Sequence, residues 1–138
     1  MIRSSQLVGA KTMDEVFAAK QKIKLDDAKE IALRVLIALD SAKRSSCPPA
    51  LANFLTKHLV MAIAIGSQMR NKTFADLCMN AYESLYKASM RDTVLLDLTT
   101  KEYQSIRRAI ALYVNHLPNV EVGMLNFAAT HAEKALTR

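Results

Sequence analysis

This sequence predicts an all-α fold: a compact bundle of five or six helices, mostly antiparallel neighbours, around a central apolar helix spanning about 49–70. Three observations carry the expectation. Gly and Pro number only three each among 138 residues, so punctuation is sparse and elements are long. Good helix formers (Ala, Leu, Met and Lys) recur throughout. Apolar residues also return every three or four positions, the period of one helix face.

The first eleven residues carry no periodic pattern and are expected to form a flexible tail before a single domain over 12–138. Thr12 and Glu15 have capping-box spacing, in which each side chain satisfies a free backbone donor of the other residue. A first helix is expected from Met13 to about Ile23. Asp26 and Asp27 open a second, which runs to about Arg44 with Ile31, Val35, Leu39 and Ala42 at helical spacing and Ala32 and Leu36 beside them. "SSCPPA" then breaks the chain. Proline is excluded from helix interiors but suits a first turn, where no donor is needed. The third helix therefore starts there and ends near Met69 or Arg70.

Thr73 is the expected N-cap of a fourth helix, from about Phe74 to Met90. Its core stripe is Phe74, Leu77, Cys78, Ala81, Leu85 and Ala88. "DTVLLDL" alone resembles a strand, but a lone strand has nothing to pair with, so an extended connector is expected. Thr99 and Glu102 repeat the capping-box spacing. A fifth helix follows, with Tyr103, Ile106, Ile110, Tyr113, Val114 and Leu117 on one face, and Pro118 stops it. The sixth covers roughly Val120 to Leu136, with Leu125, Ala128, Ala132 and Leu136 as its stripe.

The stretch "FLTKHLVMAIAIGSQMRNKTF" admits three readings. A membrane span needs about 20 consecutive apolar residues, whereas polar or charged residues bound the run from Leu59 to Gly66. A helix-turn-helix would use Ala62 and Gly66 for close packing across a tight turn, but the next helix is expected to begin late, at Phe74. The third reading is a soluble core helix, since one that is apolar all round is buried on several sides. It is the one adopted, and no membrane contact is expected.

Chemistry-bearing residues are scattered. His58 has no Asp, Glu, Cys or second His three or four residues away, so it is read as a hydrogen-bonded core or boundary histidine rather than a metal ligand. Cys78 falls on a core stripe as a small hydrophobe, while Cys47, in a loop, is expected to be the more reactive thiol. Two cysteines make no disulfide framework, and reduced thiols fit a cytoplasmic location. No phosphate loop, nucleophile elbow or zinc-protease motif occurs. No catalytic residue, cofactor or metal is therefore assigned.

The formal charge is +6 and the pI about 9.5, which raises nucleic-acid binding. Most cations close helices, where they complement the helix dipole. Lys101, Arg107 and Arg108 do not, and with Tyr103 alongside they form a candidate patch for nucleic acid or an acidic partner. Arg70 and Lys72 at the turn after the central helix are the second such candidate.

Surplus apolar residues point elsewhere. The fourth helix carries a second stripe, Met79, Tyr82, Tyr86 and Met90, and the second helix adds Leu33 and Ile37 off its main face. Seven methionines suit an adaptable binding surface. The expected function is a non-enzymatic protein-interaction module (an adaptor, regulator or inhibitor) with a protein partner or a second copy on that stripe. A nucleic-acid-binding accessory protein is the alternative.

Overall fold

A computed structural model describes residues 13–44, 47–91 and 95–137. The tail expected over 1–11 and the Thr12 cap lie outside the described residues. Within them the chain forms six α-helices and no strand: α1 (Met13–Lys20), α2 (Leu25–Lys43), α3 (Pro49–Gln68), α4 (Lys72–Ser89), α5 (Thr100–His116) and α6 (Val122–Leu136). The fold is all-α.

Four helices make a ring. α2 packs on α3, α3 on α4, α4 on α5, and α5 closes on α2. α3 and α5 also touch across the middle, whereas α2 and α4, at opposite corners, do not meet. α6 covers a further side of α3, and α1 lies on α6 alone. Thus α3 has four neighbouring helices, as expected of a helix without a polar face. By length and composition it could also cross a membrane, but here its apolar side chains meet other helices.

Local signals set the helix ends. Asp26 and Asp27 lie in the first turn of α2 and Lys43 in its last, each complementing the dipole. Pro49 occupies the first turn of α3, where its missing N–H costs nothing. Thr99 and Glu102 form the expected capping box: the Glu102 N–H donates to Thr99 Oγ1 at 3.2 Å, and the Thr99 N–H donates to Glu102 Oε1 at 2.9 Å. The Arg91 guanidinium forks onto the same carboxylate and donates to the Asp97 carbonyl at 2.6 Å. Arg91 thereby ties the end of α4 to the start of α5 and holds the Glu102 carboxyl below its usual range.

Three boundaries differ from expectation. α1 ends at Lys20, because the chain turns there to pair with the segment before α6. The Ile23 N–H donates to the Val120 carbonyl at 2.9 Å, and the Val122 N–H to the Gln21 carbonyl at 2.8 Å. Pro118 does not end the fifth helix abruptly but lies within a short 3-10 turn, Leu117–Asn119. Asn71, not Thr73, caps α4: its side chain accepts the Phe74 N–H at 3.1 Å. The expected connector over "DTVLLDL" is seen from Leu95 onward. Leu96 is buried and pairs with Cys47, its N–H donating to the Cys47 carbonyl at 3.0 Å.

The Asn71 cap shortens the α3–α4 corner to three residues. The Asn71 N–H donates to the Gly66 carbonyl at 2.9 Å and the Arg70 N–H to the Ser67 carbonyl at 3.1 Å. This is a Schellman ending, with Arg70 at the left-handed position that glycine usually fills; its φ is 55°. The two helices approach closely there. A Cβ on Gly66 would lie 3.0 Å from the Ala75 backbone nitrogen. A residue inside α3 must therefore lack a side chain for α4 to pack.

This corner yields a paired expectation. Arg70→Gly relieves a left-handed backbone that costs a non-glycine residue roughly 1–2 kcal/mol, offset by the greater entropy glycine loses on folding. A net gain of about 0.5–1 kcal/mol is expected. Gly66→Ala should cost about 1–3 kcal/mol, because neighbouring backbone cannot yield to the new methyl. Chemical denaturation of the three proteins reads both; equal midpoints would show that the corner is not under this constraint.

Candidate functional site

The centre of the bundle holds a polar pair. His58 on α3 is 7% exposed, the single buried polar side chain of its class among the described residues. Its Nδ1 lies 2.7 Å from the hydroxyl of Tyr113 on α5, which is itself buried. With the imidazole proton on Nε2, the tyrosine donates and Nδ1 accepts. Phe54 lies against His58, with ring centroids 4.5 Å apart. Burial, and then the Lys57 charge, lower the His58 pKa to about 4. Burial also pushes the Tyr113 hydroxyl upward, as does the Cys78 thiol. The thiol is raised by burial to about 12.

These groups are closed into packing rather than aimed at solvent. Among the described residues no buried side-chain nitrogen or oxygen lacks a partner, and no cluster of three or more His, Cys, Asp or Glu could hold a metal. The expected hydrogen-bonded core or boundary histidine is thus a core one, and its partner 55 residues away leaves no local signal. The expectation for Cys47 is corrected. It is fully buried beside Leu96, whose backbone pairs with it, and its thiol is shifted up by burial, which leaves little thiolate for reaction.

The outer face of α4 is the opposite case. Met79, Tyr86 and Met90 are 43%, 55% and 68% exposed. Tyr82 is half-buried, packs against the core, and stacks on Tyr86 with centroids 6.5 Å apart. The stripe therefore exists as a surface, anchored at Tyr82 and open along the other three. Its polar surroundings are balanced: Lys72, Asp76, Glu83 and Lys87 are the charges on α4. Removal of the delayed helix start takes away one objection to a helix-turn-helix, yet an α4 without excess positive charge makes a poor recognition helix.

The basic candidates divide into two places. Lys101, Arg107 and Arg108 are exposed on α5, and no ion pair holds them among the described residues, whereas Arg34, Arg44, Lys57, Lys72 and Arg91 are all paired. Lys101 and Arg108, seven apart, share a helix face; Arg107 points about 100° away. Lys72 is engaged by Asp76 at 2.6 Å. It starts α4 at the end where Phe74 meets His116, ring centroids 4.6 Å apart. Lys101 begins α5 at the other end, so the turn and the α5 patch do not form one site.

Comparison of the chain with known protein families, with curated sequences and with solved structures gives no match. The functional reading therefore rests on these surfaces.

The buried pair predicts an acid limb of stability. Above pH 6.5, His58 is neutral whether the chain is folded or unfolded, and it contributes no slope. Between 6.5 and about 4, the unfolded chain binds a proton that the folded chain does not. Stability then falls with pH by up to about 1.4 kcal/mol per unit, or about 3 kcal/mol across the window. At lower pH Glu102, whose carboxyl Arg91 holds below its usual range, adds a second decline, because the unfolded chain takes up that proton first. Urea melts at pH 7, 5.5 and 4.5 should show the first slope in the natural protein. It should be absent in His58→Phe/Tyr113→Phe, which removes both partners together. A double variant with an unchanged slope would assign the proton to another group.

Proposed function

We propose that this chain is a non-enzymatic interaction module, an adaptor, regulator or inhibitor, that presents the outer face of α4 to a protein partner. One observation carries the reading: Met79, Tyr86 and Met90 stand exposed along one helix face, with Tyr82 as their half-buried base. Tyrosine and methionine are enriched at protein interfaces. Each brings a large apolar area, and methionine adapts its shape to what it meets.

The inward packing of His58, Tyr113 and Cys78 supports a non-catalytic role, since a catalytic constellation must reach its substrate. A groove of about 530 Å³ between α1 and α6 is walled largely by Ala18, Ala19, Val122, Gly123 and Phe127, with Glu15 its one titratable residue. Coverage of α3 by four helices supports a role without a membrane span. Two free, buried thiols fit the cytoplasm.

A second reading draws on one specific observation, the unpaired state of Lys101, Arg107 and Arg108. Exposed cations not held in an ion pair suit phosphate contacts. Their small number on a single helix ranks this below protein binding.

Tyr86→Glu with Met90→Glu tests the first reading, because both side chains face solvent and the fold should survive. Affinity capture from the source cells should recover a protein with the natural chain that the double variant loses, at an unchanged melting temperature. Recovery of the same proteins by both would remove α4 as the interface. For the second reading, anisotropy with labelled duplex and single strand at 50 and 200 mM salt is decisive. A drop of more than about tenfold would mark phosphate contacts, and absence of binding at 50 mM would end that reading.

A further inference from the structure

The α4 face leaves a second exposed apolar surface unexplained, at the opposite corner of the ring. Leu33, Leu36 and Ile37 on α2 are 60%, 46% and 54% exposed. They occupy the middle of a 19-residue helix whose inner face, Val35, Ala38, Leu39 and Ala42, is already packed into the core. Nothing else in the described chain covers them.

The charges flanking this patch are ordered along the helix. Asp26 and Lys29 precede it; Asp40 and Arg44 follow it. All four are exposed and lie on the outer side with Leu33 and Ile37, as 100° per residue requires. We infer that α2 is a self-association surface, on which a second copy of this chain packs antiparallel about a two-fold axis beside Arg34 and Val35.

The pairing follows from the spacing. Lys29 and Asp40 are equidistant from the point between Arg34 and Val35, and Asp26 and Arg44 are equidistant from Val35. A two-fold axis there sets Lys29 opposite the copy's Asp40 and Asp26 opposite its Arg44. Each pair occurs twice, because an isologous contact repeats every interaction. Leu33 meets the copy's Leu36 and Ile37 at the centre. A parallel alignment would instead place Asp26 on Asp26, Lys29 on Lys29 and Asp40 on Asp40, and like charges disfavour it. Antiparallel helices also oppose their dipoles favourably. Arg44 already contacts Asp40 of its own helix at 3.2 Å, so Asp40 would lie between two cations in the dimer.

A single helix pair buries less than the roughly 1,200–2,000 Å² of standard interfaces, so the dimer is weak and concentration-dependent. It uses a different face from α4, and the two readings fail separately.

Sedimentation equilibrium of the full chain from 5 to 500 µM is the test, in 50 mM salt. The natural protein should pass from monomer to dimer. Leu33→Glu should remain monomeric across the range. Lys29→Glu should weaken association about tenfold, since it replaces two attractive pairs by two repulsive ones. Adding Asp40→Lys in the same chain should restore it, an outcome that only the antiparallel register gives. Melting temperatures of the variants check that each folds. A monomer at 500 µM overturns the inference. So does a dimer that survives Leu33→Glu, or one that the second charge reversal fails to rescue. A dimer lost through Tyr86→Glu and kept in Leu33→Glu would assign self-association to α4 instead.

Discussion

A twenty-residue helix whose middle has almost no polar face must be covered from several directions, and the arrangement of the other helices follows from that demand. α3 meets α2, α4, α5 and α6, and each approach is made by a different set of its residues. Gly66 admits the backbone of α4 where a Cβ would crowd Ala75. His58 reaches α5 through the Tyr113 hydroxyl. Lys57 reaches Glu133 of α6 at 3.7 Å. Apolar burial supplies the drive but no direction, at about 25 cal/mol per Å². The glycine and the His–Tyr pair supply the direction. A buried polar pair in the wrong register would leave two unsatisfied groups, at about 1–3 kcal/mol each. The pair therefore fixes how α5 seats on α3, where an all-aliphatic seam would tolerate sliding.

The ring explains why apolar surface is left over. In a four-cornered arrangement each helix contacts two neighbours and keeps an outer side. α3 escapes this because α6 covers its outer side. α5 presents Arg107, Arg108 and Lys101 outward, and so remains wettable. α2 and α4, at the two corners that do not touch, present Leu, Ile, Met and Tyr. The sequence alone allowed these helices to be sandwiched inside one monomer. Among the described residues no other helix covers either outer face.

Most of the fold was legible because its signals are local. The capping box at Thr99 and Glu102, the proline in the first turn of α3, and the stripes of α4 and α5 each depend on residues within one or two turns. What escaped is non-local. Asn71 and Thr73 are both good cap residues by type, and the Schellman ending of α3 decides between them by bringing the chain round two residues sooner. Cys47 resembled an accessible loop thiol because its neighbours are polar, but it is buried where Leu96, far along the chain, pairs with its backbone. Leu36 fits the spacing of the buried face, yet it is 46% exposed, because it flanks the stripe instead of lying at its centre. The candidate interface was readable as a stripe; its exposure was not, since a second apolar face reads the same whether a helix or solvent lies against it.

The two open faces differ in what they can bind tightly. Fully burying a leucine, isoleucine or methionine contributes about 1.5–3 kcal/mol, and these residues are roughly half exposed, so each has about half of that to gain. Association costs at least about 4 kcal/mol before any contact counts. Three such residues on one helix barely exceed that cost, even when an isologous contact counts them twice, which would keep the proposed α2 contact weak and reversible. The α4 stripe is longer, from Met79 to Met90, and it includes aromatic area anchored at Tyr82. A half-buried tyrosine loses little further freedom on binding, so more of its contact energy reaches affinity. A partner with a complementary groove could bury the whole stripe at once. On the proposed reading α4 takes a distinct protein and α2 a second copy, and engaging one would not obstruct the other, because the ring sets them on opposite sides of the core.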